Sequence, residues 1–319
     1  APKSDFVFPP NFTQVSVGGK NVTGYGWNAY QATSPAPEGP VTVSIPGGVL
    51  SSIQAVSSDL VWMTGGDFAE DIWYTTSYDP SNSSLYTVDV TTGNYTLVGP
   101  MGFSVTGLAY DPNTGIMYAS RYDGSANSYL HTVNLETGAM TQVGVIAPGI
   151  IIGIAGDANG NLYGLNLDDN LYSINKTTGA GTVIGPIGYT VNYAQDIGFD
   201  RDNNILYGTL YTTSGGLYQF DISTGAATLL NNFIAEACAF GIPYTSADDD
   251  APAAVAGFTV TPGASGALNA ALSWTNPSTT VGGATLSQLS SIVIERNGAP
   301  LTTISNPTIG GAGSYTDNS

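Results

Sequence analysis

Three carboxylates, Asp67, Asp196 and Glu236, fall on or beside short Gly- and Ala-rich segments of one repeating pattern. Carboxylates facing one another across a cleft suit glycoside hydrolysis, where one acts as acid and another as base or nucleophile. That chemistry needs surroundings that push their pKa values apart. Asp67 and Asp196 align with Gly107 and Gly153 of neighbouring repeats, whereas Glu236 aligns one position earlier. In a strand, a one-residue offset turns a side chain to the opposite face. The alternative to catalysis is a structural or solvated role for all three.

A second acidic pattern comprises Asp111, Asp157 and Asp200, with Asp71 nearby by alignment. Asp200, Asp202 and Asn204 alternate as oxygen ligands of a calcium loop do, but the EF-hand pattern is absent. Asp also starts turns by accepting hydrogen bonds from its own backbone, and that reading is preferred. Calcium is thus the one cofactor the sequence brings into view. Asp248-Asp249-Asp250 reads as a solvated spacer, with a cation between domains as the alternative.

Aromatic faces are saccharide platforms. Trp27, Trp62 and Trp73 are irregularly placed and are the candidates for a ligand-binding surface. Tyr25, Tyr74, Tyr118, Tyr163 and Tyr207 recur at one position, which argues for packing between repeats. His131, the sole histidine, replaces a repeated Tyr, and no nucleophile-elbow motif accompanies it. Cys238 is the single cysteine, which excludes an intrachain disulfide and reads as a buried thiol. The sequons at Asn11, Asn21, Asn82, Asn94 and Asn175 read as chance in a Thr- and Asn-rich chain.

The elements that carry these residues follow from internal repeats. Leu85-Tyr86-Thr87-Val88-Asp89 with Thr92-Gly93 recurs as Leu130 to Asn134 with Thr137-Gly138, Leu171 to Asn175 with Thr178-Gly179, and Leu217 to Asp221 with Thr224-Gly225. A degenerate copy is Val41 to Ser44 with Gly47-Gly48. The glycines at 48, 93, 138, 179 and 225 are spaced 45, 45, 41 and 46 residues apart. Four strands in such a period match one propeller blade. The Thr-Gly pairs fall in the hairpin between third and fourth strands. Ala235 to Phe240 is an inner strand without a blade behind it, and Val22 to Trp27, Val41 to Ser44 and Leu50 to Gln54 are a blade without an inner strand. The reading is all-β: a five-bladed β-propeller over residues 1–247 whose two ends share a closing blade, leaving no long open edge.

After a linker at 248–252, residues 253–319 change character. Ala271-Leu272-Ser273-Trp274-Thr275-Asn276-Pro277 resembles the second strand of a fibronectin type III domain, and Ile294-Glu295-Arg296-Asn297-Gly298 its third strand and turn. Such a sandwich needs seven strands in about 100 residues, so this partial β-sandwich is expected to continue past Ser319. With repeats such as Thr106-Gly107-Leu108-Ala109-Tyr110-Asp111 followed by Met117-Tyr118, the chain resembles exported Bacteroidota propeller proteins that carry fibronectin type III-like modules. The resemblance implies release or anchoring at the surface, often through type IX secretion, with secretion machinery or surface proteins as partners.

Charge sets the excluded classes. Asp and Glu number 24 against 6 Lys and Arg, a net charge of −18. That field repels phosphate backbones, so nucleic acid is not an expected partner. The longest apolar stretch, Val145 to Ile154, is interrupted by Pro148 and Gly149, so no segment spans a membrane. Beginning at Ala1, the chain fits an exported protein whose signal has been removed, located outside the cell or at its surface. The expected function is binding or display, recognising glycan or protein through propeller loops. A glycoside hydrolase using channel carboxylates, and a structural subunit of a surface layer or filament, are the alternatives.

Overall fold

The computed structural model describes residues 22–30, 38–53, 62–192, 195–233, 235–244, 251–265, 269–281, 283, 285–296 and 299–318. Asn11, Asn21, Gln54 and the Asp248–Asp250 spacer lie outside them. The contacts divide the chain into two units, Ala1–Thr245 and Ser246–Ser319.

The first unit holds five four-stranded antiparallel sheets. β1 (Val22–Tyr30), β2 (Gly39–Ile45) and β3 (Leu50–Ser52) make one sheet with β20 (Glu236–Gly241) as its inner strand. The second sheet is β4 (Met63–Ala69), β5 (Ile72–Ser77), β6 (Ser84–Val88) and β7 (Tyr95–Pro100). The third is β8 (Val105–Asp111), β9 (Ile116–Tyr122), β10 (Asn127–Val133) and β11 (Met140–Pro148). The fourth is β12 (Ile151–Gly156), β13 (Leu162–Asn166), β14 (Asn170–Ile174) and β15 (Gly181–Pro186). The last is β16 (Asp196–Asp200), β17 (Ile205–Tyr211), β18 (Gly215–Phe220) and β19 (Ala227–Phe233). The inner strands touch in cyclic order, β4 on β8, β8 on β12, β12 on β16, β16 on β20 and β20 on β4, which is a β-propeller arrangement.

Burial follows from that order. The inner strands are covered on both faces, and every residue of β12 and β16 is buried. The outermost strands are mostly open to solvent, with a single buried residue each in β7 and β15. Hence the inner strands are rich in Gly and Ala: a Cβ on Gly107 would lie 2.7 Å from the Ile154 amide nitrogen of the next sheet. Tyr74, Tyr118, Tyr163 and Tyr207 are buried in the clusters that join neighbouring sheets.

The repeated Asp/Asn-x-x-Thr-Gly segments have two physical causes. The Asp or Asn carboxyl or amide oxygen accepts from the turn backbone: Asn134 Oδ1 takes the amides of Glu136 and Thr137 at 2.9 and 3.0 Å, and Asp89, Asn175 and Asp221 do the equivalent. The Gly then adopts positive φ, 76° at Gly138. The turn also docks on the preceding sheet. A Cβ at Gly99 would sit 2.2 Å from the carbonyl oxygen of Thr137, and Gly144 and Gly185 meet Thr178 and Thr224 in the same way.

The second unit has a sheet in the order β21 (Ala256–Pro262), β22 (Ala270–Thr275), β25 (Ala312–Asp317), and a hairpin of β23 (Ser291–Arg296) with β24 (Ala299–Ser305). Trp274 and Ile294 are buried, and Trp274 Nε1 donates to Asn276 Oδ1 at 2.7 Å.

Candidate functional site

At the end of the propeller where the inner strands begin, the axis opens into a cavity of about 560 Å³. Its walls come from the residues that enter the inner strands and from the tips of the β5–β6 and β9–β10 hairpins. Trp62, Tyr78 and Phe103 supply aromatic surface, and Arg121, Gln195 and Glu236 supply polar groups. Trp62, Tyr78 and Phe103 keep 50%, 59% and 37% of their surface exposed, unlike the buried blade-to-blade tyrosines. Phe103 carries the Arg121 guanidinium 4.0 Å above its ring, an arrangement worth about 0.5–1 kcal/mol at an exposed site.

The three candidate carboxylates, Glu236, Asp196 and Asp67, lie at three levels along the inner strands. Glu236 opens β20 and lines the cavity, where partial burial raises its carboxyl above the ordinary range. Asp196 lies deeper and has no exposed surface. Its Oδ2 accepts from the amides of Gly66 and Phe240 at 3.1 and 3.0 Å, and its Oδ1 from that of Ile197 at 2.9 Å. One carboxyl thus links β16, β4 and β20 across the axis. Desolvation drives its pKa well upward against those three donors, with the nearby Asp67 adding to the rise. Asp67 is bound by Arg201 through Nη2–Oδ2 at 2.6 Å and Nη1–Oδ1 at 3.3 Å, and accepts from the Phe68 and Tyr110 amides at 2.8 and 2.7 Å. Arg201 also donates to the carbonyls of Gly156 and Tyr110, at 3.0 and 2.9 Å, and lies over the Tyr244 ring at 4.6 Å.

The pairing register revises the alignment of Asp67. It stands opposite Tyr74, as Ala109 stands opposite Tyr118, Ala155 opposite Tyr163 and Gly198 opposite Tyr207. Asp196 stands opposite Thr209, level with Gly107 opposite Ser120 and Gly153 opposite Leu165. Asp67 is therefore two residues further along its strand than Gly107 and Gly153. The same bulge stands near the start of all three strands, between Met63 and Gly66, Val105 and Gly107, and Ile151 and Gly153, so the strands match without a gap and Gly65, not Asp67, is level with Gly107. The signal that resolves it is Thr64-Gly65, which matches Thr106-Gly107: both threonine hydroxyls donate to the following sheet, to the Val105 and Ile151 carbonyls.

The other candidates separate by burial. Trp62 reaches the cavity, whereas Trp27 and Trp73 have no exposed surface and belong to one core cluster with Phe68 and Met63. Asp200 is buried, and its two oxygens accept from the backbone and side-chain nitrogens of Asn203 at 3.1 and 2.8 Å. Asn204 adopts a φ of 57° in the same turn, which also contains Asp202. Among the described residues no group of three or more His, Cys, Asp and Glu side chains could hold a metal ion. Asp123, on the cavity rim, accepts three turn amides, from Ser125, Ala126 and Asn127, which hold its carboxyl down at about 2. His131 is buried, its pKa lowered by desolvation and by Arg121, with its ring 5.7 Å from Phe103. Cys238 is a buried free thiol that donates to the Met63 carbonyl at 2.7 Å, and burial pushes its pKa well up. Gln195, Phe103 and Tyr78 escape sequence reading because they lie in the connections, and Arg121 because it stands near the end of β9, where no motif marks it. Arg201 escapes it because an Arg after a strand reads as solvated.

No family model matches the chain, and no curated protein matches it significantly. Solved structures of propeller-like proteins that resemble it include a chain of a nidogen–laminin complex, at 12% identity and a TM-score of 0.46, over 80% of this chain and 85% of that one. TolB from Acinetobacter baumannii matches at 13% identity and 0.44, over 79% of this chain and 61% of its own. A Bacteroides thetaiotaomicron protein of unknown function matches at 15% and 0.42, over 81% of this chain and 60% of its own. The chain thus spans about three fifths of the latter two. The strand topology, rather than these scores, carries the fold. No helix among the described residues is long and apolar enough to cross a membrane.

Proposed function

We propose that the chain is a five-bladed propeller binding module, followed by a fibronectin type III-like unit, that acts outside the cell or at its surface and holds a glycan in the cavity at the entry of its inner strands. The observation that carries this reading is the contrast between cavity and axis. The cavity has the volume of a ligand site, three partly exposed aromatic rings and a few polar groups. Aromatic rings offer large, rigid contact area with a polar rim, which suits the apolar face and hydroxyl edge of a sugar.

Turnover by channel carboxylates would need two of them to reach one bond. Asp196 and Asp67 are sealed and fully engaged by backbone donors and Arg201; of the three inner-strand candidates only Glu236 meets the cavity, and Asp123 on its rim is held by its turn amides. Binding without hydrolysis is the better-supported outcome. The test is a panel of polysaccharides offered to the intact chain, with retention and reducing-sugar release measured together. Retention that Trp62→Ala abolishes, without sugar release, is the expected result. Sugar release that Asp196→Asn removes would overturn it in favour of a hydrolase.

A further inference from the structure

The cavity holds a cation that has no ionic partner among the described residues. The described residues include four Lys and Arg side chains, and three are paired: Lys176 with Asp111, Arg201 with Asp67 and Arg296 with Asp317. Arg121, partly buried, makes no ion pair and donates no side-chain hydrogen bond among the described residues. Its guanidinium face is occupied instead by Phe103 at 4.0 Å and Tyr129 at 5.7 Å. A guanidinium stacked by its face keeps its edge donors available in a flat fork. Gln195 provides a second, independent observation. It is 2% exposed, lines the same cavity, and its Nε2 has no hydrogen-bond partner among the described residues, while its Oε1 accepts from the Tyr211 amide at 3.4 Å. A buried amide donor left unpaired forfeits its hydration with nothing in return, so an acceptor belongs in this space.

We infer that the ligand of this cavity is an acidic saccharide, whose ring stacks on the aromatic wall and whose carboxylate is received by Arg121 with Gln195 beside it. The inference rests on the glycan reading above and adds the charge of the sugar to it. A planar carboxylate matches the guanidinium fork in two parallel bonds. The chain's net charge of −18 weighs against ligands of multiple charge such as phosphorylated or highly sulfated glycans, whereas one carboxylate in contact with Arg121 is governed by that contact, since charges beyond about 8 Å are screened at physiological salt. The carboxyls facing the cavity do not compete for the fork. Asp123 is engaged by its turn amides, and Glu236 makes no ion pair with Arg121 among the described residues and is placed to bond a sugar hydroxyl.

The experiment is calorimetric titration of the intact chain with neutral oligosaccharides that each end in a single glucuronate, galacturonate or mannuronate, each beside its carboxyl-reduced neutral counterpart. At least one uronate is expected to bind, and its reduced form to bind roughly ten- to hundredfold more weakly. In Arg121→Gln that selectivity should collapse toward one while thermal stability is retained. Loss of stacking alone would weaken acid and neutral forms equally, so the ratio separates charge recognition from packing. Neutral forms binding as tightly as the acids, or a ratio unchanged in Arg121→Gln, would overturn the inference and leave the glycan reading standing. Failure of every acidic and neutral sugar to bind would overturn both.

Discussion

Replacing Arg201 by Met should unlock the closed end of the propeller axis. Arg201 has a side chain 1% exposed, and through Asp67, Gly156 and Tyr110 it ties β16 to β4, β12 and β8. Met keeps most of the volume and removes every donor. Asp67 then remains as a buried, uncompensated carboxylate, and removing one partner of such a pair costs about 3–5 kcal/mol. The carbonyl oxygens of Gly156 and Tyr110 also lose their guanidinium donors. Adding Asp67→Leu removes the stranded charge but leaves the Phe68 and Tyr110 amides without their acceptor, so the double variant should fall between wild type and Arg201→Met. Urea unfolding of the intact chain, followed by tryptophan fluorescence, reads both: for Arg201→Met the midpoint should drop by about 1.5–2.5 M at a slope of about 2 kcal/mol/M. A loss below about 1 kcal/mol in Arg201→Met, or a double variant less stable than that single, would refute the reasoning.

Three further outcomes are expected. Gly138→Ala meets a φ of 76° and the Gly99 carbonyl oxygen at 2.6 Å; the left-handed backbone alone costs about 1–2 kcal/mol, and the melting temperature should fall accordingly. Cys238 should resist a thiol reagent in the folded protein and react only on unfolding, because the thiol is buried and its pKa raised; rapid labelling of the native protein would contradict its placement. The pH dependence has two limbs of opposite sign. Asp89, Asp123 and Asp221 are lowered by their turn donors, so their contribution is present above the unfolded value near 3.9 and fades as pH falls, toward about 2 for Asp123. Asp196 is raised, so its contribution is present below that value and is lost as pH rises through its folded pKa. Melting curves from pH 2 to 8 should show both limbs, and Asp196→Asn should flatten the upper one alone.

The repeats made the sheets legible because each Leu-Tyr-x-aliphatic-Asp/Asn segment carries a strand and its turn together. Pairing between β20 and β1 was readable for the same reason: Ala235 to Phe240 had no blade behind it. What the repeats did not convey was docking. Gly99, Gly144 and Gly185 look like ordinary strand glycines until each is seen against the Thr-Gly turn of the next sheet. The site was less legible than the fold. Trp62, Trp27 and Trp73 are chemically alike in sequence, and only the closing of the ring decides that one faces a cavity and two are core. Asp67 and Asp196 looked like a pair on one level because Gly65, Gly66 and Asp67 are adjacent and only the pairing with Tyr74 shows which of them matches Gly107. Gln195 and Arg121 carry no motif, and their importance comes from donors left open by the tertiary structure.

The central claim is that a saccharide occupies the cavity beside Trp62. Trp62 is 50% exposed, whereas Trp27, Trp73 and Trp274 are 0%, 0% and 6% exposed, so acrylamide quenching of the native protein reports chiefly on this one residue. With the sugar retained in the binding screen at saturation, the quenching slope should fall to that of Trp62→Phe. A slope unchanged while calorimetry shows the sugar bound would place the ligand elsewhere and contradict the account.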